Sequence, residues 1–224
     1  MPVNFKNMET LVEKIVRSPL LPQYLEKIQA FWKKEEADRK RFYKDVVENK
    51  KMEFINGEVY FQSPVKLRHN ETGKLLLKLI DVYVDANGLG FVGYEKMLVS
   101  LTRNDYEPDL CFWNKEKSAD FKPDQMQFPA PDLVIEILSE STEKIDRGVK
   151  FEDYAEHNVA EYWIIDPRKK IVEQYIAEDK KYGLKHKAQN QEIIFCQVLQ
   201  GFNIPVQAIF DNAENVKILK QLLS

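Results

Sequence analysis

The pattern of apolar and polar residues divides the chain into a helical first part and a mixed remainder. Apolar residues recur at helical spacing between Leu25 and Val46, after a break at Ser18-Pro19. From Met52 the pattern changes to short apolar runs, and Asn56-Gly57 between two of them is the sequence signal for a tight hairpin. The sequence therefore predicts helices in the first fifty residues and a β-hairpin directly after them.

The remainder alternates between helical and strand patterns. A helix, three strands, a second helix and a fourth strand are predicted at 65–85, 90–101, 106–113, 132–139, 146–157 and 161–166. Later strands and a final helix are predicted at 171–176, 182–187, 192–199 and 212–223. We therefore expect an α/β protein with a central mixed sheet flanked by helices. Its predicted parts are a helical N-terminal extension (1–50), one α/β domain (51–211) and a C-terminal helix or tail (212–224).

Composition and charge limit the classes of protein to consider. The 224 residues include 33 Lys and Arg against 36 Asp and Glu, which argues against a strongly basic nucleic-acid coat but leaves room for a local basic patch. Cys111 and Cys196 lie in apolar runs and are too few for a disulfide framework or a zinc site. Without an apolar signal core, or an apolar run of the roughly 20 residues that a membrane span needs, we expect a soluble, cytoplasmic protein.

One carboxylate interrupts the most apolar strand of the chain. The run 131–139 is typical of a strand buried on both faces, and Glu136 lies within it. Side chains alternate along a strand, so Glu136 shares a face with Val134 and Leu138. An unpaired buried carboxylate is costly. Glu136 must therefore meet a cation, a proton or a metal ion, and both a structural salt bridge and a metal site satisfy this requirement.

A second acid makes a metal site a specific hypothesis. Asp109 lies near the start of the strand 106–113, and neighbouring strands could bring it next to Glu136. Two close carboxylates repel each other unless a positive charge lies between them. A hard, oxygen-binding ion such as Mg²⁺ fits this pair. Such an ion can polarise a phosphodiester and lower the pKa of a bound water.

Three further side chains are candidates for the same site. Lys150 lies four residues after Asp146 and four before Tyr154. It either forms an exposed helix pair with Asp146 or faces the site, where an ammonium could orient the attacking water. His69, in the first turn of its helix, could point toward the sheet or be a partly buried structural histidine. Glu58 follows the hairpin turn, and a surface cross-strand partner is an equally consistent interpretation.

These segments together resemble the Uma-two family of restriction-endonuclease-like proteins. The resemblance rests on the run 131–139, on 146–150 with Tyr154, and on 161–167. Further matches are Gly57-Glu58, Ser63-Pro64, His69, Pro108-Asp109 and Gly201-Phe202. Together these matches span roughly residues 52–210. Because the family belongs to the PD-(D/E)XK nuclease superfamily, the resemblance implies a restriction-endonuclease-like core and metal-dependent cleavage of phosphodiesters.

The resemblance also implies which acids bind the metal. Asp132 and Asp109 both follow a proline, but Asp132 shares a strand with Glu136, whereas the superfamily signature places its two acids on adjacent strands. Asp109 therefore matches the first acid and Glu136 the second. The backbone carbonyl of Ile137 would be a further ligand of Mg²⁺ or Mn²⁺.

The lysine of the signature is displaced in this chain. It should stand two residues after Glu136, at a position occupied by Leu138. Some superfamily members supply this lysine from the following helix, so the resemblance implies that Lys150 replaces it, held by Asp146 and Tyr154. Lys96, on the strand before Asp109, is a less favoured substitute.

Two functions follow from this interpretation. The first is a Mg²⁺-dependent DNA endonuclease in which Asp109 and Glu136 bind the metal, Lys150 assists the attacking water, and His69 and Glu58 assist in the site. The second is a catalytically inactive DNA- or protein-binding module, which the substitution at Leu138 motivates. A homodimer would suit cleavage of both strands. Candidate basic contacts with DNA, or residues of an ordinary surface, are Lys169, Lys170, Lys180, Lys181, Lys185 and Lys187.

Overall fold

The computed structural model describes residues 5–46 and 50–223. The helices are Phe5–Val16 (α1), Leu21–Asp45 (α2), Leu67–Asn87 (α3), Lys115–Ser118 (α4), Glu143–Asp146 (α5), Val149–Glu156 (α6) and Asn212–Leu222 (α7). The strands are Met52–Ile55 (β1), Glu58–Phe61 (β2), Gly90–Tyr94 (β3), Leu98–Ser100 (β4), Asp105–Tyr106 (β5), Leu110–Asn114 (β6), Gln127–Phe128 (β7), Leu133–Ile137 (β8), Glu161–Asp166 (β9), Ile171–Glu178 (β10), Lys181–Gln189 (β11), Ile193–Phe195 (β12) and Asn203–Pro205 (β13).

Two sheets organise these elements. The central six-stranded sheet has the order β11-β10-β9-β8-β6-β3, with β8 and β9 parallel and the other neighbours antiparallel. A five-stranded sheet has the order β2-β1-β5-β4-β7, and β12 pairs with β13. The predicted α/β class, the mixed central sheet and the N-terminal helices are confirmed.

The central sheet is buried on both faces. Ile135 of β8 joins a core with Leu76 of α3, whereas its neighbour Val134 joins a second core with Tyr154 of α6. Side chains of successive strand residues point to opposite faces. The alternation therefore places Glu136 on the face of Val134, toward α6, as the sequence pattern predicted.

The hairpin predicted at Asn56-Gly57 forms as expected. Both residues have positive φ angles, 52° and 86°, and they connect β1 to β2 with Ile55 paired to Glu58. This backbone conformation matches the twist of the two strands, which explains the preference for Asn-Gly in such turns. The hairpin brings residues 51–53 next to the central sheet.

Two strands predicted as continuous are broken where the chain passes between the sheets. The predicted strand 90–101 is β3 followed by β4, with a turn at Glu95 whose φ is 50°. The predicted strand 106–113 is β5 followed by β6, with a break at Pro108, which has no N–H to donate to a strand partner. The chain thus crosses between the sheets twice, around Glu95 and around Pro108. Glu95 N donates to the carbonyl of Asp109 at 2.9 Å, and this hydrogen bond joins the two crossings.

The C-terminal half of α2 packs on the five-stranded sheet. Phe42 is 1% exposed in the core of this region. Arg39 Nε lies 2.7 Å from Asp105 Oδ2, and Arg103 Nε lies 2.7 Å from Glu35 Oε1. Packing and ion pairs thus fix this half of α2, whereas the half before Glu35 extends beyond the sheet with exposed side chains.

Cys111 and Cys196 are free and buried, as the apolar runs around them indicated. Within the described residues, no helix combines the length and the apolar character that a bilayer crossing demands. Neither feature contributes to the site described next.

Candidate active site

The register of the central sheet brings Asp109 next to Glu136. β6 and β8 are antiparallel, and Leu110 pairs with Ile135. Asp109, the residue before Leu110, is therefore next to Glu136, the residue after Ile135. Ile137 N donates to Asp109 Oδ2 at 2.8 Å. The two acids that the sequence pattern selected therefore lie together at one end of adjacent strands.

A cleft of about 250 Å³ opens at this end of the sheet. Asp109, Glu136, Asp146 and Lys150 line it together with His69 from the first turn of α3. The acids come from two strands and from α5, and the lysine comes from α6. The fold thus collects residues that are far apart in sequence into one polar opening in an apolar core.

Lys150 is buried between three carboxylates. Its side chain is 1% exposed, and Nζ lies 2.8 Å from Glu53 Oε1, 2.9 Å from Glu136 Oε1 and 3.4 Å from Asp146 Oδ1. Burial opposes the charge on Lys150, but Glu136, Glu53 and Asp146 outweigh it and raise the pKa of the ammonium well above its usual range. Lys150 does pair with Asp146, but the predicted alternative of a solvent-exposed pair is wrong, because both side chains are buried.

Asp109 is held by donors on both of its oxygens. Lys51 Nζ lies 2.8 Å from Oδ1, and His69 Nε2 lies 3.2 Å from Oδ2. Burial opposes the ionisation of Asp109, but Lys51 and His69 more than offset it and hold the pKa of the carboxyl well below its usual range. Asp109 is therefore an anchored carboxylate.

Glu136 lies in a different electrostatic environment. Burial raises its pKa well above the usual range, and the neighbouring Asp146 and Asp109 add to this effect, whereas Lys150 opposes it. Asp146 Oδ1 is buried without a hydrogen-bond partner, and burial also raises the pKa of Asp146. Three carboxyl groups thus share the single ammonium of Lys150, which favours the uptake of a proton or of a further cation on this side of the cleft.

The donor set fits a hard divalent cation. No group of three or more His, Cys, Asp or Glu side chains within residues 5–46 and 50–223 is already arranged as a metal site. Asp109 and Glu136 nevertheless offer carboxyl oxygens on neighbouring strands, and Asp146 Oδ1, which accepts no hydrogen bond and lies 3.4 Å from Lys150 Nζ, belongs to the same cluster. Oxygen ligands with excess negative charge are the chemistry that Mg²⁺ and Mn²⁺ select.

Comparison with known proteins identifies the family. A family model described as "Uma2: Putative restriction endonuclease" matches residues 41–207. The chain belongs to this family. A crystal structure of a putative nuclease of the DUF820 group from Anabaena variabilis is similar to the Uma2 chain, with a TM-score of 0.62 and 15% identity over 71% of this chain and 89% of that one. This likeness shows the fold, and no curated protein matches the chain.

The Uma2 fold places Glu58 and Lys96 outside this cluster. Glu58 lies on the exposed strand β2, where its Oε2 accepts a hydrogen bond from Tyr60 at 3.2 Å. Lys96 lines a separate groove together with Phe91 and Met97. The acid that the hairpin does contribute is Glu53, which is 2% exposed and contacts Lys150.

The residues that sequence reasoning missed come from the hairpin and from the rim of the cleft. Glu53 lies in β1, and Lys51 directly precedes this strand. β1 is buried because it is an inner strand of the five-stranded sheet. Lys66, Arg68 and Arg168 line the mouth of the cleft. The candidate DNA contacts Lys169, Lys180 and Lys187 pair with Asp166, Glu156 and Glu173. At the rim, Lys66 likewise pairs with Glu140, and Arg168 with Glu143.

The stability of this Uma2 domain is expected to depend on the protonation of Glu107. Burial raises the pKa of Glu107 to about 7, against the opposing hydrogen bond from Met52 N. The folded state then binds more protons than the unfolded state between the ordinary carboxyl pKa and pH 7, so stability falls as the pH rises through this window. Replacing Glu107 by glutamine removes this penalty.

We therefore expect Glu107→Gln to become more stable relative to wild type as the pH rises from about 5 to 8, by roughly 2–3 kcal/mol in total. Urea unfolding at several pH values measures this difference. Glu58→Gln is the matched control, since Glu58 lies on an exposed strand of the same hairpin. A difference that stays constant with pH, or that parallels the control, would contradict the assignment.

Proposed function

We propose that this chain is a divalent-metal-dependent endonuclease that hydrolyses phosphodiester bonds of DNA in the cleft between α3 and β8. The observation that carries the proposal is the convergence of Asp109 and Glu136, two buried carboxylates on adjacent antiparallel strands, with Lys150 hydrogen-bonded to Glu136. The family description and the nuclease-like fold support the reaction class.

In this proposal Asp109, Glu136 and the backbone carbonyl of Ile137 hold Mg²⁺ or Mn²⁺. When bound, the ion would polarise the scissile phosphate and lower the pKa of a coordinated water. The ammonium of Lys51 lies 2.8 Å from Asp109 Oδ1, and this contact with a cation supports the role of the carboxylate as a ligand. Lys51 can transfer its contact to a substrate phosphate when a metal takes the carboxylate.

Lys150 has two functions in this proposal. Its hydrogen bond at 2.9 Å fixes Glu136, and its contacts with Glu53 and Asp146 fix the ammonium itself. The positive charge in the cleft assists the attacking water by orienting it and by stabilising charge that develops on the phosphate. His69 holds Asp109 from the opposite side, and Glu53 occupies the place for which the sequence suggested Glu58.

The rim of the cleft is suited to a polyanion. Lys66, Arg68 and Arg168 line the cleft with the hydroxyl groups of Ser139, Ser141 and Thr142, and Lys66 pairs there with Glu140 at 2.8 Å. Basic and hydroxyl groups bind phosphate oxygens of the nucleic-acid backbone without selecting a sequence. We therefore expect DNA binding that weakens as the salt concentration rises.

The experiment is a plasmid-nicking assay with Mg²⁺ or Mn²⁺. Wild-type protein is expected to nick supercoiled DNA and to lose this activity when the metal is chelated. Asp109→Asn is expected to lower the nicking rate at least about 100-fold, because it removes a charged ligand of nearly the same shape. The matched control is Asp132→Asn: Asp132 also follows a proline, but it accepts from Asn114 N and pairs with Lys117.

The outcomes separate the two functions. Nicking that survives in Asp109→Asn, or that fails equally in Asp132→Asn, would argue against the proposed site. DNA binding without nicking under either metal would instead support a catalytically inactive binding module. Metal-dependent thermal stabilisation gives a second readout, since an ion that binds the folded state raises its stability. Glu136→Gln should abolish this stabilisation.

A further inference from the structure

The half of α2 that extends beyond the sheet presents an uncovered apolar face. Ile28, Glu35 and Phe42 are spaced by seven residues and lie on one face of the helix. Glu35 and Phe42 are buried against the domain, whereas Ile28 is 53% exposed. The face that anchors the helix therefore continues, without a cover, over two further turns.

The exposed apolar positions are symmetric about Ile28. Leu25 and Phe31 lie three residues to either side of it, and Tyr24 and Trp32 lie four residues to either side. All of these side chains are exposed, up to 57% for Phe31. A second α2 in antiparallel orientation, related by a two-fold axis at Ile28, would therefore set apolar residues opposite apolar residues in every layer.

The length of the exposed segment suits this pairing. The position seven residues before Ile28 is Leu21, the first residue of α2, and the position seven residues after it is Glu35. In the antiparallel pair the start of one helix therefore faces Glu35 of the other, where the helix meets its own domain. The exposed segments of the two helices, from Leu21 to Glu35, would therefore cover each other along their whole length.

The flanking charges are compatible with the same pairing. On the flanks of the two-fold axis Lys33 would lie level with Gln23, and Lys34 would lie level with Pro22. No two like charges oppose each other, which removes the usual electrostatic penalty against self-association. This arrangement would not hold for a parallel pair, in which each lysine faces its own copy.

The available area is also sufficient. Side chains of this size, half exposed, present on the order of 100 Å² each, so those of both helices together approach the roughly 800 Å² per partner of a stable interface. The exposed large apolar residues of α1, α2 and the turn between them are Leu11, Val12, Val16, Leu20, Tyr24, Leu25, Ile28, Phe31 and Trp32. Apolar patches of this extent on one surface usually mark an interface.

We infer that two copies of this chain associate through an antiparallel α2–α2 contact centred on Ile28. The interface is isologous, since each copy contributes the same residues. In each copy α1 contacts α2 and would therefore accompany it at this interface. The contact lies outside the catalytic cleft and does not depend on the proposed nuclease activity.

Sedimentation or light scattering of the 224-residue chain tests this inference. Wild-type protein is expected to have twice the monomer mass of 26.4 kDa at micromolar concentration. Ile28→Glu is expected to raise the dissociation constant at least about 100-fold, because it places two carboxylates together at the axis. Ala30→Glu adds the same charge on the opposite face of the helix and should leave the dimer intact.

Cysteine cross-linking tests the orientation. Under mild oxidation Ile28→Cys is expected to form a disulfide-linked dimer, since this position meets its own copy. Leu25→Cys alone should not cross-link, but a mixture with Phe31→Cys should give the mixed dimer. Cross-linking of Leu25→Cys by itself would indicate a parallel pair and overturn the arrangement. A monomeric wild type, or a dimer that Ile28→Glu does not weaken, would overturn the interface.

Discussion

Replacing Lys150 by methionine is expected to lower the free energy of unfolding by roughly 3–5 kcal/mol near neutral pH. The substitution keeps the length of the side chain but leaves Glu53, Glu136 and Asp146 without the ammonium that contacts all three. A buried charge that loses its partner is much more costly than an exposed pair. Urea unfolding followed by tryptophan fluorescence measures the loss, and Lys144→Met, on the exposed side of α5, is the control.

A double-mutant cycle shows whether this loss arises from the carboxylates. Adding Glu136→Gln to Lys150→Met removes one uncompensated charge and should recover roughly 1–3 kcal/mol. The recovery distinguishes electrostatics from a packing defect, because a cavity would remain in both variants. Additive losses, or a Lys150→Met protein as stable as the control, would show that the three acids do not depend on this lysine.

Glu161→Gln is expected to destabilise the protein by about 3–4 kcal/mol. Glu161 is fully buried, and its carboxylate accepts from Trp163 Nε1 and Gln174 Nε2, each at 2.6 Å. Its other oxygen accepts from the backbone N–H groups of Gln197 and Val198 at 2.7 and 3.1 Å. Glutamine replaces one of these oxygens by an NH₂ group that faces two donors, so the hydrogen bonds cannot be satisfied.

The measurement is equilibrium unfolding in urea, and the control is Glu178→Gln at the exposed end of β10. The control should stay within about 0.5 kcal/mol of wild type. A loss confined to the segment after β12, seen as faster hydrogen exchange there without a change in global stability, would show that Glu161 fixes this segment alone. Equal stability of Glu161→Gln and the control would contradict the assignment.

The central sheet and its carboxylates could be predicted because their signals are local. An apolar run with one acid identifies a buried strand and its polar interruption, and the alternation along the strand identifies the face of Glu136. The register of β6 against β8 then brings Asp109 beside it. For this part of the site, local sequence carries nearly all of the information.

The contribution of the hairpin could not be predicted in the same way. Asn56-Gly57 fixes the turn, but the choice between Glu53 and Glu58 depends on which strand becomes an inner strand of the sheet. β1 lies between β2 and β5 and is buried, whereas β2 is an edge strand. That difference arises from long-range pairing, and Lys51 looks like an ordinary surface lysine until the pairing has formed.

The break at Pro108 had a local signal that the apolar pattern concealed. A proline within a strand pattern marks a break or an edge because it cannot donate to the neighbouring strand. The apolar residues on both sides of Pro108 made the two strands look continuous, although they belong to different sheets. The helix predicted at 146–157 begins later, at Val149, after a break at Gly148, where a Cβ would lie 2.7 Å from the carbonyl of Lys144.

The double attachment of Asp109 limits how the chain can vary in length. Its carbonyl accepts from Glu95 N, and its carboxylate accepts from Ile137 N, at the point where the chain leaves one sheet for the other. An insertion of a single residue in either crossing would shift the register by one and turn the carboxylate to the opposite face. The mostly exposed loop 122–126 has no such attachment to the two sheets and can accept insertions or deletions. Natural variation in length should therefore concentrate in that loop and spare the two crossings.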